Sequence, residues 1–539
     1  MCGIAMIVGD GWDPATFRSM IDAIEHRGTV TEVATSDGCA AATRRLPIVD
    51  RERAIQPWIL QTPSVQTLCY NGELYNTREL RVELARRSRV PSTASDTELL
   101  ALSLAEWGED AVSRISGEFA FAVEVNGAVY VGRDPFGVKP LYYAISDGRI
   151  HVASEIKALV SVGTRVVEVL PGQHGWITGD GAQIRSYYDV GARLQQAESD
   201  GLFTCADDAA AAVRETVTQA IAARVRTDLP MAVILSGGLD SSIVATVASR
   251  FHRNVVAYTI GTADSPDLDY ATRVARDLGL PHRVIEVAPK EFGRAALLDA
   301  VESSELTEYG DIINAAISAR LFRAIGDDGM RVAIGGDCSD ELFGGYPMYR
   351  DIPVQQQQRL FVHKLRNLGR TELQRVDRTS MAATVEARVP FLDPRVVDVA
   401  LRVPTTMKTV DGVEKWILRR AFGDLLPDYV VARPKHGLSY SSGLHDRLRL
   451  YKPWVAGHYR RSGYAQHAPL RRDFDTVLTR AGNDLDRALS GPGLLSDHTA
   501  AEKSRDLLGA LRWNLVAELP RRSSRRSDET ALTVDEGQG

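Results

Sequence analysis

Residues 231–249 read MAVILSGGLDSSIVATVAS, and this stretch decides the fold of the larger part of the chain. An apolar run, Met231 to Leu235, leads into the glycine-rich turn SGGLDSS, Ser236 to Ser242, which opens onto the apolar segment IVATVAS. That order predicts a short buried strand, a tight turn and a helix, the arrangement in which backbone N–H groups and a helix N-terminus converge on an anion. Gly237 and Gly238 let the backbone approach a phosphate closely. The hydroxyls of Ser236 and Ser241 can donate to it, and Asp240 can hold a magnesium ion that neutralises its charge. An ordinary strand-to-helix turn with a serine cap has the same local pattern, so the choice between the two rests on the rest of the chain.

Downstream, the strand-like runs NVVAYTIG, HRVIEVA and MRVAIGG alternate with helical patterns at Tyr270 to Leu278 and Asn314 to Ile325. Such alternation predicts an α/β domain with a parallel sheet and helices on both faces. Ligands of such sheets lie outside the carboxyl ends of the strands, where SGGLDSS and the later GGDCSDE both fall. From about Val376 the pattern is mostly helical. Upstream, residues 1 to 190 read as short alternating strands (VQTLCYNGE, FAFAVEVNG, AVYVGRDPFG, PLYYAISDG, RIHVASE) with turn pairs at Asn126-Gly127 and Asp147-Gly148. Helical patterns near Ala15 to His26 and from Asp96 to Trp107, the latter capped by Ser95, interrupt them. The expectation is an α+β domain of antiparallel hairpins with a few packed helices. Residues 191–208 are polar and small and read as a linker, 209–515 as the second domain, and 516–539 as a disordered tail.

A chain of 539 residues is too long for a single core. The net charge of −6 gives no electrostatic reason to expect nucleic acid. No apolar run reaches membrane-spanning length, and the N-terminus has no basic region ahead of its apolar residues. Five scattered cysteines suit neither a disulfide framework nor a zinc site. A cytoplasmic protein without nucleic-acid or membrane partners is expected, with a homodimer as the oligomeric state to test.

Cys2 is the second informative position, because removal of Met1 leaves a thiol and a free α-amine on one residue. An α-amine, with a pKa of about 8, can act as general base for its own side chain. The set MCGIA, HRG (His26 to Gly28), RRLPIVD (Arg44 to Asp50), NGELYN (Asn71 to Asn76), SDTELL (Ser95 to Leu100), RDPFGVKPLYY and ASEIKAL resembles the glutaminase domain of class II amidotransferases. With SGGLDSS, SPDL, SDELFGGY and VEARVPFLD in the same order, residues 1 to about 440 resemble the glutamine-dependent asparagine synthetase family.

The resemblance implies an N-terminal Ntn-hydrolase-type sandwich of antiparallel sheets and a C-terminal parallel-sheet ATP-pyrophosphatase domain. It implies a ligase with ATP and magnesium, taking glutamine and a carboxylic acid such as aspartate. Cys2 would attack the glutamine carboxamide, with the Asn71 side chain and Gly72 N–H as oxyanion donors. Arg45 would grip the glutamine carboxylate, and Asp96 with Glu73 its ammonium. Leu235, Ile260 and Gly336 match positions bordering adenine. Ser236, Gly237, Gly238, Asp240 and Ser241 match the pyrophosphate loop, with Asp340 joining Asp240 at the metal and Lys415 near the phosphates. Arg388 and Lys435 are second-rank basic candidates.

Three positions depart from the family's pattern in the synthetase half. Asp337 stands where a glutamate assists proton transfer, and Glu308 and Gly310 replace parts of a Thr-Thr-Ile-Arg-like segment implicated in aspartate binding. In the glutaminase half, Thr29 and Val30 follow HRG in place of Pro-Asp. A non-aspartate acid, or intramolecular amide closure as in beta-lactam synthetases, are the alternatives. Retention of Cys2, Arg45, Asn71 and Asp96 argues against the latter.

Overall fold

Two six-stranded antiparallel sheets form the N-terminal part of the protein, here a computed structural model describing residues 1–60, 66–442, 444 and 451–490. Its strands are β1 (Cys2–Val8), β2 (Val30–Ser36), β3 (Cys39–Arg45), β4 (Trp58–Leu60), β5 (Gln66–Leu74), β6 (Gly117–Val125), β7 (Ala128–Arg133), β8 (Tyr142–Ser146), β9 (Arg149–Ala153), β10 (Val167–Glu168), β11 (Gln173–Thr178) and β12 (Gly181–Ser186). One sheet runs β10-β8-β9-β1-β3-β2 and the other β12-β11-β7-β6-β5-β4. β1 shows why they stack. Its alternate residues Ile4, Met6 and Val8 meet Cys69, Ala120, Ala122 and Val131 of the second sheet, while Ala5 and Ile7 turn outward to Phe17 and Met20 of the helix Pro14–Ala23. The second sheet is covered outside by Leu80 and Leu100 of the helices Thr77–Ala85 and Asp96–Trp107. The result is a helix–sheet–sheet–helix sandwich.

Both predicted hairpins form, with positive φ at Asn126 (52°) and Gly127 (81°) and at Asp147 (51°) and Gly148 (69°), the conformation that Asn-Gly and Asp-Gly favour. Ser95 caps the helix Asp96–Trp107, its hydroxyl accepting from the Thr97 N–H.

The C-terminal part is built on a parallel sheet, β13 (Met231–Ile234), β14 (Val255–Gly261), β15 (His282–Glu286), β16 (Val332–Ile334) and β17 (Glu386–Arg388), in the order β15-β14-β13-β16-β17. The chain winds outward from β13 to β15 and returns on the other side at β16. The SGGLDSS turn after β13 and the GGDCSDE turn after β16 therefore flank the switch point, where such sheets bind ligands. Beyond Val376 the described chain is mostly helical, as expected, with β17 as an added strand. Its three residues, Glu-Ala-Arg, have too little apolar periodicity to announce a strand, and pairing with β16 makes one of them.

The linker expectation is corrected. Val190–Asp200 is a helix capped by Asp189, with Val190 and Ala197 buried, and Arg366 bonds Asp189 at 2.8 Å. Small and polar residues disguised it, because only one narrow stripe touches the core. The expected disordered tail, 516–539, lies outside the described residues. Among the described residues, no helix is long and apolar enough to cross a membrane.

Candidate functional sites

Cys2 opens β1 opposite Arg45 on β3. Its backbone N–H donates to Asn71 Oδ1 at 2.9 Å, across to β5 in the second sheet. Asn71 is fully buried, and its Nδ2 has no hydrogen-bond partner among the described residues. A buried amide donor left unpaired costs about 1–3 kcal/mol, so this one, on a side chain bonded to Cys2, is a candidate donor to an oxyanion. Gly72 follows, where a Cβ would lie 2.3 Å from the Glu118 carbonyl oxygen, so only glycine fits. Burial pushes the Cys2 thiol above its ordinary pKa, with the neighbouring N-terminal ammonium acting in opposition.

The predicted carboxylates gather around this thiol. Asp96 accepts from the Tyr70 hydroxyl at 3.0 Å and the Leu74 N–H at 3.2 Å, and burial raises its carboxyl. Burial pushes Glu73 well above the usual carboxylate range, with Arg388 at 3.7 Å opposing. Arg45 is already engaged: Nε and Nη2 hold Glu32 at 2.9 and 3.1 Å and Nη1 donates to the Arg51 carbonyl. Glu32 arrives on β2, just after the Thr29-Val30 departure, so an incoming carboxylate must compete with it.

The second site is a cleft lined by Ser236, Gly238, Asp240 and Ser241 of the turn and by Lys415, Arg433, Lys435 and His436. The turn is held open by its own hydroxyls: Ser236 Oγ lies 3.1 Å from Ser241 Oγ and accepts from the Gly238 N–H at 3.3 Å. Gly237 has φ 67°, and a Cβ there would meet the Ala271 nitrogen at 2.5 Å. Gly336 backs this turn, where a Cβ would sit 2.9 Å from the Asp240 Cβ. Leu235 and Ile260 are buried beneath it at the ends of β13 and β14.

Lys415, itself at φ 53° and fully buried, bridges Asp240 and Asp340, the latter at 2.6 Å. Lys435 reaches the other Asp340 oxygen at 2.7 Å. Burial alone would raise the Asp340 carboxyl, but the two lysines outweigh it and hold it at about 2. Arg388 does not join them. It lies buried on β17, donating to Glu386 at 2.6 Å and to the Arg224 carbonyl, on the glutaminase-facing side of the sheet.

At the three departures, each acid has found a base. Glu308 is held by Arg370 at 2.7 Å and Asp337 by Arg375 at 2.6 Å, while the Gly310 N–H donates to Asp473 at 2.7 Å.

Residues 1–171 match the glutamine amidotransferase domain, and residues 212–360 and 353–488 match asparagine synthase. Asparagine synthetase B [glutamine-hydrolyzing] of Escherichia coli is 32% identical over 78% of this chain and 78% of its own. The chain belongs to the asparagine synthetase family. The root asparagine synthetase of Pisum sativum is 31% identical over 90% of this chain and 83% of its own. Among solved structures, the glutamine phosphoribosylpyrophosphate amidotransferase from B. subtilis, complexed with ADP and GMP, matches 52% of this chain and 65% of its own at 20% identity and TM-score 0.31.

Two side chains of this asparagine synthetase-family site escaped the sequence. Gln56 places Nε2 3.8 Å from Cys2 Sγ, fixed there by Thr97 Oγ1 at 3.1 Å and by the Tyr70 N–H, which donates to Oε1 at 2.9 Å. A lone Gln in a loop carries no signal. Arg433 holds the Ser236 carbonyl at 2.8 Å and Asp267 at 2.5 Å and stacks over Tyr270. Its only signal was its place beside Lys435 in RPKHGL.

Proposed function

We propose that the protein is a glutamine-hydrolysing, ATP-dependent asparagine synthetase. The observation that carries this reading is Asn71: its amide oxygen takes the Cys2 N–H while its fully buried Nδ2 has no partner among the described residues. With Met1 removed, the Cys2 amine takes the thiol proton, and the sulfur attacks the glutamine carboxamide. The resulting oxyanion meets Asn71 Nδ2 and the Gly72 N–H, and ammonia leaves behind a thioester that water hydrolyses to glutamate. Asp96 and Glu73 take the substrate ammonium, and Arg45 its carboxylate in exchange with Glu32.

In the cleft after β13, the backbone of Ser236 to Ser241 cradles the ATP phosphates, with Leu235, Ile260 and Gly336 at the adenine side. Lys415, Lys435 and Arg433 compensate the charge of the leaving pyrophosphate. Asp240 Oδ1 is buried without a hydrogen-bond partner among the described residues, which fits a hard cation. Asp240 and Asp340 would hold magnesium, which when bound neutralises phosphate charge. Among the described residues no group of three or more His, Cys, Asp or Glu side chains forms a dedicated cage, so phosphates and water would complete the shell.

The acceptor is aspartate. The sequence set Glu308, Gly310 and Asp337 against a dicarboxylic acid, but Arg370 and Arg375 pair with the two acids and offset their charge, which removes that objection. The aspartate side-chain carboxylate attacks the α-phosphorus and expels pyrophosphate. Ammonia then attacks the acyl carbon, Asp337 assists the amine proton, and AMP leaves. Buried free thiols at Cys39, Cys69 and Cys338 suit a cytoplasmic setting.

Cys2→Ala tests the scheme: glutamine-dependent product formation should vanish while ammonia-dependent synthesis persists. Pyrophosphate release across a panel of carboxylic acids tests the acceptor, and a signal with aspartate no higher than the no-acid blank would reject it.

A further inference from the structure

Arg27, fully buried in the HRG turn, donates from Nε to the Cys2 carbonyl at 3.1 Å. Its two Nη atoms form a two-point pair with Asp377 at 2.8 and 2.9 Å, and Nη1 also meets Glu155 at 2.6 Å. Asp377 belongs to the other half of the protein, on the helix Glu372–Met381, and is locked in turn by Arg378 at 3.0 Å. Arg378 also reaches Glu305 at 3.1 Å, whose carboxylate accepts the Ile156 and Lys157 N–H groups. All of these side chains except Lys157 are buried, so the pair acts at low dielectric and resists rearrangement.

The bond to the Cys2 carbonyl holds the Cys2–Gly3 peptide plane and so the position of the Cys2 Cα at its edge, from which the nitrogen and the Cβ branch. A Cβ at Gly3 would already lie 3.1 Å from the Arg27 side chain, so arginine and nucleophile are fitted closely. On the same helix Arg375, two residues before Asp377 and about 200° around the axis, points the other way to Asp337.

We propose that Asp377, supplied by the synthetase half, is a positioning residue of the glutaminase site: it holds Arg27 so that Arg27 holds Cys2. The inference rests on the glutaminase reading given above. It is tested with full-length wild type and Asp377→Asn, measuring glutamine hydrolysis, ammonia-dependent synthesis, and iodoacetamide labelling of each cysteine by peptide mass.

The expected result is a fall of about ten- to a hundredfold in kcat for glutamine hydrolysis, with KM and ammonia-dependent synthesis within about twofold of wild type. The Cys2 labelling rate should change by about threefold or more, on the scale that geometry changes at a reacting group produce. Cys39, Cys69 and Cys338 should stay protected, with exposed Cys205 as the internal standard. Unchanged glutamine kcat with unchanged Cys2 labelling overturns the proposal. So does a parallel fall in both activities, or labelling of all buried thiols together, since those report a structural role. If the wild type hydrolyses no glutamine, the glutaminase reading fails by itself and Cys2 labelling decides the positioning. Should Asp377→Asn not fold, Asp377→Glu, which keeps the charge and shifts it by one methylene, is judged by the same outcomes.

Discussion

Asn71 shows how one side chain can divide its two ends between structure and chemistry. Its oxygen is committed to the Cys2 N–H, while its nitrogen is buried with no acceptor among the described residues. Asn71→Ala should therefore lower kcat for glutamine hydrolysis by about a hundred- to a thousandfold, the usual loss for one oxyanion donor, and leave ammonia-dependent synthesis near wild type. A loss below about threefold would mean the oxyanion forms elsewhere. Residues of this kind were legible in the sequence because their motifs are local: NGELYN carries Asn71, Gly72 and Glu73 together. Gln56 was not, because its role is made by Thr97, Tyr70 and Cys2, which the chain brings from three separate elements. The acids at 308 and 337 were legible in the sequence and their partners were not, since Arg370 and Arg375 are distant in sequence and adjacent only in the fold.

Strand, turn and helix are the next unit, and the SGGLDSS turn is one part of it. Gly336, from the turn after the neighbouring strand β16, presses on Asp240 and Ser241 so closely that a Cβ would lie 2.9 and 3.0 Å from them. Gly336→Ala should push the phosphate turn outward and raise the KM for ATP by about tenfold or more, with glutamine hydrolysis retained. An unchanged ATP KM would mean that the turn yields freely. Elements with clean periodicity were foreseen: the two hairpins, β13 to β16 and the helix Asp96–Trp107. β17 and the helix Val190–Asp200 were not, because each borrows its stability from neighbours. β17 is three residues made a strand by β16, and the helix Val190–Asp200 buries only Val190 and Ala197.

Across the whole molecule, one apolar cluster runs from Met1, Phe17 and Met20 of the N-terminal half into Val217, Met231 and Ile243 of the other, while buried charges set the register between them. Arg224 is the clearest such charge, pairing with Glu118 from the first half at 3.0 Å and Asp393 from the second at 3.1 Å. Buried pairs add little net adhesion over apolar contact, yet breaking one by removing a partner costs about 3–5 kcal/mol. Burial alone would raise Asp393, but Arg395 and Arg224 outweigh it and hold its carboxyl at about 2; Glu386, facing Arg388 and the Met1 ammonium, is likewise held at about 2. Both folded-state values lie below those of the unfolded chain, so the unfolded state binds protons first as pH falls. Their stabilisation is complete above about pH 4 and is lost between there and about pH 2, and a carboxyl displaced by that interval contributes about 2–3 kcal/mol at neutral pH. Wild type should thus lose both activities in one acid transition within that window, because the shared core leaves neither half free to unfold alone. Asp393→Asn should be destabilised in urea titrations at pH 7, with the gap from wild type narrowing toward pH 3. Equal gaps at the two pH values would place its contribution in packing, and two separate acid transitions would show that the halves are joined without being coupled.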